Sequence, residues 1–322
     1  YDFQRDFCRK FLAVSPDLRY LPVIPAGYVC VVEYPRMFNP NYRTDGYLEQ
    51  TEVFLTFPAL RFTRVIGNFF IPVGIDWAFP FISVNNATSS ISGREVLGFN
   101  KLLGDIGVTP GHPGKPGEAP VPVNALVRLP TFRRYTALSK QRLWPILRVR
   151  GGAALTGDAA HGETLARRFP WSLLDQMDKR ASMASIPAGV EQTPGRLRAI
   201  NLKQFLNGED PTQAVFQGLV GCSFTYRNIR DAVVCGPGSY RVFANASMLQ
   251  DPITREWILP KGWQARICGS IHFTSDLWLD NVQNIYTAPQ NPAPPDSPCV
   301  ELIRDWERLL RDAARIFSCG IV

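Results

Sequence analysis

Lys101 is the residue best placed to do chemistry. It sits in Gly93-Arg94-Glu95-Val96-Leu97-Gly98-Phe99-Asn100-Lys101-Leu102-Leu103-Gly104, bracketed by Phe99, Leu102 and Leu103. A lysine held among apolar side chains is the usual way to make a nucleophilic amine. Desolvation disfavours the ammonium form and leaves neutral amine at working pH. Such an amine attacks ketones and forms a Schiff base. The competing reading is a lysine that lays its stem on apolar surface and keeps its ammonium in water. By residue type alone, Arg94-Glu95 is a surface ion pair worth little, and Glu33 is a strand-end glutamate facing water.

The stretch resembles the signature of the acetoacetate decarboxylase family: Gly-Arg-Glu, a few mixed residues, an aromatic, Pro, Lys, Lys. Gly93, Arg94, Glu95, Phe99 and Lys101 match in type and spacing, whereas Asn100 replaces the proline and Leu102 the second lysine. The resemblance implies Lys101 as a Schiff-base nucleophile, with Arg94 and Glu95 as a buried pair that fixes the lysine segment and Phe99 beside it. It also implies a cavity-lining glutamate at Glu33 and a second acidic site at Glu49, in Tyr47-Leu48-Glu49, 49 − 33 = 16 residues further on. Glu52 competes with Glu49. Three residues on in a continuing strand, it points to the opposite face. With leucine at 102, no neighbouring like charge helps to neutralise Lys101, which then depends on desolvation alone.

The elements that must position these residues are mostly strands. Residues 27–34, 53–57, 65–71 and 77–84 are β-branched and aromatic, and prolines at 58 and 72 bound the middle two. Pro80 inside 77–84 marks an edge or a bulge. Phe3, Phe7, Phe11 and Leu12 have helical spacing. A short helix or turn starting at Ser92 carries Lys101. Residues 107–122 are a Pro/Gly-rich loop, 144–150 a strand and 165–183 a helix. Leu202-Lys203-Gln204-Phe205 and Gly236-Pro237 through Phe243 resemble the family's second half. Residues 214–220 and 222–227 form one long strand or two, and 267–273 a final strand. Residues 289–298 are a proline-rich linker, and 300–316 an amphipathic helix. The resemblance therefore implies an α+β, mainly antiparallel β fold: a bent cone- or barrel-like sheet with peripheral helices. Residues 1–285 form the acetoacetate decarboxylase-like domain, with an inserted region at about 105–197. Residues 286–322 form the linker and C-terminal helix.

Bulk properties bound the rest. The chain has 322 residues, 45% hydrophobic and 20% charged, so a sizeable core is affordable. Its net charge of 35 − 28 = +7 is scattered, with no run that suggests nucleic-acid binding. There is no stretch apolar enough for a membrane span. Seven cysteines without a C-x-x-C pair argue for reduced thiols and a cytoplasmic setting. The three histidines lack ligand spacing, so no metal site is expected. The chain starts at Tyr1 without methionine, so an N-terminal segment is expected to be missing. The resemblance implies a lyase that decarboxylates a β-keto acid without a cofactor. Its partner is a small-molecule keto acid, and a homo-oligomer is compatible with it. The alternatives are a Schiff-base aldolase or dehydratase on the same lysine, or a non-catalytic pocket protein that binds an apolar carboxylate.

Overall fold

The computed structural model describes residues 2–24, 27–38, 46–109, 123–131, 142–152, 196–206, 208–209, 214–235, 238–243, 264–267 and 270–287. The helical expectations at 165–183 and 300–316, the linker at 289–298 and most of the loop at 107–122 lie outside them. The described chain is mainly antiparallel β with two helices, α1 (Asp2–Phe11) and α2 (Ala87–Glu95).

Two sheets carry the strands. The eight-stranded sheet contains β1 (Leu18–Pro22), β2 (Tyr28–Met37), β3 (Leu48–Ile66), β4 (Phe69–Val84), β5 (Lys101–Leu103), β9 (Arg196–Leu206), β10 (Ala214–Cys235) and β13 (Ser270–Thr287). Its main path runs β1-β3-β4-β9-β10-β13, with β2 paired to β3 and β5 to β4, and it does not close on itself among the described residues. The five-stranded sheet is β6 (Asp105–Thr109), β7 (Asn124–Thr131), β8 (Arg142–Arg150), β11 (Gly238–Val242) and β12 (Gln264–Ile267), in the order β12-β11-β8-β7-β6. Three of its strands come from the region expected to be an insertion. Their inward residues Ala125, Val127, Leu129, Leu147 and Val149 pack on Val53, Leu55 and Phe81 of the large sheet.

The β3–β4 hairpin is the backbone of the molecule, and here the structure corrects the expected strand boundaries. Residues 65–71 are not a strand but a turn with its flanks. Ile66 pairs with Phe69, and Gly67 takes φ +53 between them, a left-handed conformation that glycine adopts without a Cβ penalty. Pro58 and Pro72 lie inside strands instead of bounding them. The ladder keeps its register through Pro58 but is irregular near Pro80 and Pro72. Its register shifts between Leu55 and Phe57 opposite Pro80, and between Arg61 and Phe62 at Pro72, as bulges accommodate a residue that cannot donate.

Helix α1 closes one end. Phe7 and Phe11, four residues apart, stack at 4.9 Å, and Phe7 meets Phe57 edge-on at 5.9 Å. With Cys8 and Leu12 they cover Tyr20, Ala59, Ala78, Ile200 and Leu219. Asp76 is fully buried nearby, with Arg61 at 3.4 Å and Arg198 at 3.3 Å. It sits where β4 meets β9, a parallel seam of two residue pairs, Trp77↔Ala199 and Ala78↔Ile200.

Candidate active site

Strand alternation sorts the candidate residues. On β3, Gln50, Glu52 and Phe54 share one face, and Val53 and Leu55 share the other, against the small sheet. Register carries the first face across the sheet: Glu52 pairs with Val84, Phe54 with Ile82, and Ile82 with Lys101. Lys101 therefore emerges on the Glu52 face, and its side chain reaches back across β4.

The result is a buried ion pair. Lys101 Nζ donates to Glu52 Oε2 at 3.1 Å, and the side chains are only 9% and 10% exposed. Gln50 Nε2 donates to the same oxygen at 2.6 Å. Lys101 Nζ also donates to Ser89 Oγ at 3.3 Å and lies 5.8 Å from the centre of the Phe99 ring. Phe99 packs against Phe79 at 5.6 Å and Phe224 at 5.8 Å, so an aromatic wall from both halves of the sheet backs the amine. Burial, with the Glu52 charge second, pushes the nearby Cys30 thiol up to about 12. That shift marks how poorly this face tolerates a further negative charge.

The lysine segment is built differently from the expectation. Helix α2 ends at Glu95, and Lys101 opens β5. The helix starts at a cap: Asn86 Oδ1 accepts from the Ser89 N–H at 3.1 Å, and Asn86 Nδ2 donates to the Glu49 carbonyl at 3.0 Å. After the helix, Gly98 takes φ +69 and turns the chain back, with the Phe99 N–H bonded to the Gly93 carbonyl at 3.0 Å. Ser89 and Gly93, four apart, face the lysine together. A Cβ on Gly93 would stand 2.7 Å from Lys101 Cδ and 2.9 Å from Cε. The glycine of Gly-Arg-Glu is thus the floor on which the lysine stem lies.

Several predicted site residues are not at this place. Glu49 is exposed, an odd number of residues from Glu52 and so on the other face. Glu33 pairs with Thr51, shares its face and is also exposed. Arg94 and Glu95 are exposed at the end of α2, not a buried pair. Leu102 points away from the amine and packs with Val53, Leu55 and Phe81. A like charge at position 102 would not face Nζ, and among the described residues Glu52 is the ionic partner of Lys101. Sequence reasoning missed Gln50 and Ser89. The available signals were two polar residues on one face of an otherwise apolar strand, and a serine four residues before the motif glycine.

No protein-family model and no curated protein sequence matches the chain. Solved structures do. One is acetoacetate decarboxylase from Legionella pneumophila subsp. pneumophila str. Philadelphia 1, at 13% identity and a TM-score of 0.49, covering 88% of this chain and 81% of that one. The chain is similar to acetoacetate decarboxylase and enzymes like it. The enduracididine biosynthesis enzyme MppR matches at 13% identity and 0.47, over 88% of this chain and 81% of its own. An acetoacetate decarboxylase-like enzyme from Sphingomonas wittichii RW1 matches at 12% and 0.34, over 83% and 89%.

Proposed function

We propose that the protein is a Schiff-base-forming lyase that decarboxylates a β-keto acid on Lys101, with Glu52 as its proton partner. The observation that carries this reading is the buried Lys101–Glu52 contact at 3.1 Å. A buried ion pair adds little net stability over apolar residues of the same volume, so a chemical role is the reading that this pair supports. Here a proton passes from the ammonium to the carboxylate over one hydrogen bond, leaving a neutral amine.

The amine attacks the ketone carbon, and loss of water gives a protonated imine. The bond to the carboxylate then breaks, its electron pair moves into the C=N⁺ group, and CO2 leaves. The enamine takes a proton on carbon, and water releases the ketone and restores Lys101. The imine is the electron sink, so the chemistry needs no metal or organic cofactor. Glu52 stands for the carboxylate role that the motif resemblance attached to Glu49, with Glu33 in support. An aldol reaction would use the same imine and release no CO2.

The test is reduction with borohydride in the presence of β-keto acids, followed by peptide mass analysis. A substrate-derived mass on Lys101 together with CO2 release supports the decarboxylase. A mass on Lys101 without CO2 release supports aldol chemistry. No adduct with any carbonyl compound ends the Schiff-base reading in favour of a binding protein.

A further inference from the structure

We propose that Ser89 is a catalytic residue, the hydroxyl that carries a proton from the lysine nitrogen to the substrate oxygen during imine formation. The proposal rests on the Schiff-base reading of Lys101. Ser89 is 3% exposed, and its Oγ lies 3.3 Å from Nζ, the atom that reacts. A serine hydroxyl has one donor and two acceptor positions. Toward Lys101 it is the acceptor, and among the described residues its own O–H has no acceptor. A buried donor with no partner is costly, and this one stands beside the nitrogen to which a carbonyl carbon would bond.

Its position is set independently of the lysine. The Asn86 cap holds the Ser89 backbone, and the same side chain ties the helix start to the Glu49 carbonyl on β3, the strand that bears Glu52. The neighbouring Ser90 is engaged elsewhere, donating to the Lys101 carbonyl at 3.4 Å. Helix cap, strand and lysine thus fix three groups around Nζ: a carboxylate, a hydroxyl and an aromatic face.

The chemistry leaves a task that Glu52 alone does not complete. Once Glu52 holds the ammonium proton, attack of the amine forms the C–N bond and pushes the C=O π pair onto oxygen. The adduct has a proton too many on nitrogen and one too few on oxygen. Direct transfer between them passes through a strained four-membered ring. Ser89 gives its O–H proton to the oxygen as it takes one from nitrogen, and is regenerated. The protonated Glu52 then supplies the proton with which the hydroxyl leaves as water, the C–O bond breaks, and the nitrogen lone pair forms C=N⁺. Every proton is accounted for by Lys101, Ser89 and Glu52.

The experiment measures the single-turnover rate of borohydride trapping on Lys101 with acetoacetate in wild type, Ser89→Ala and Ser89→Thr, from pH 5 to 9, in H2O and D2O. Thermal unfolding is followed in parallel. The expected result is a fall of about 10²-fold in Ser89→Ala, the low end of general acid–base effects. The solvent isotope effect should shrink, and most of the rate should return in Ser89→Thr, which keeps the hydroxyl. Wild-type trapping with an unchanged rate, pH profile and isotope effect in Ser89→Ala overturns the role of Ser89 and leaves the lysine reading standing. A loss in Ser89→Ala that Ser89→Thr does not restore, in folded protein, also overturns it, because the hydroxyl is then not the cause. Absence of any adduct in wild type, with acetoacetate and with every other carbonyl compound tried, overturns both.

Discussion

Gly93→Ala isolates the geometry of the lysine from the stability of the fold. The added Cβ would lie 2.7 Å from Lys101 Cδ and 2.9 Å from Cε, where non-bonded carbons settle at about 3.5–4.0 Å. The stem must therefore retreat by roughly 1 Å. Its far end is tied at 3.1 Å to Glu52 and 3.3 Å to Ser89. A shift of that size takes both contacts beyond hydrogen-bond distance. A misplacement of about 1 Å at a reacting group costs on the order of 10²-fold in rate. Stability should respond quite differently. Gly93 lies in α2 without a positive φ, and alanine is better than glycine in a helix by roughly 0.5–1 kcal/mol. That gain opposes an overpacking cost of about 1–3 kcal/mol, so the net change from these two effects is a destabilisation of at most about 2.5 kcal/mol. The assay pairs borohydride trapping on Lys101 with a urea unfolding curve. A folded Gly93→Ala protein that traps at the wild-type rate would refute the claim that this glycine positions the lysine.

Other substitutions probe neighbouring parts of the argument. Glu52→Gln keeps the shape but not the proton acceptor, and trapping should fall by about 10² or more; Glu49→Gln and Glu33→Gln, exposed on the other face, should trap like wild type. If Glu49→Gln is instead the inactive variant, the assignment of Glu52 is wrong. Asp76→Ala leaves Arg61 and Arg198 facing each other without their shared carboxylate and should cost about 3 kcal/mol in urea unfolding; a loss under 1 kcal/mol would mean that solvent at Arg198 screens the pair. The Cys30 thiol is pushed up to about 12 from 9.0. Its stabilising contribution is therefore complete below pH 9 and lost as pH climbs toward 12. Cys30→Ala should flatten the fall in stability over that window, and peptide mapping should find native Cys30 unlabelled by a thiol reagent at pH 8.

Which lysine stands apart from the others was legible in the residue order. The motif spacing singled out Lys101, and the aromatic at 99 and the glycine at 93 are residue types whose contacts with the lysine are short-range. Composition and turn signals likewise indicated a strand-rich chain, and the family resemblance implied that it is mainly antiparallel. Alternation alone further established that Glu49 and Glu52 face opposite ways. Which of those faces meets the lysine is a long-range matter. It depends on the β3–β4 register, which pairs Glu52 with Val84, and on β5 joining β4 so that Lys101 lies beside Ile82. The same pairing turned Leu102 into the core and left Arg94 and Glu95 in solvent. Local pattern singled out Lys101, and the register between strands distant in sequence decided which carboxylate and which hydroxyl stand beside it.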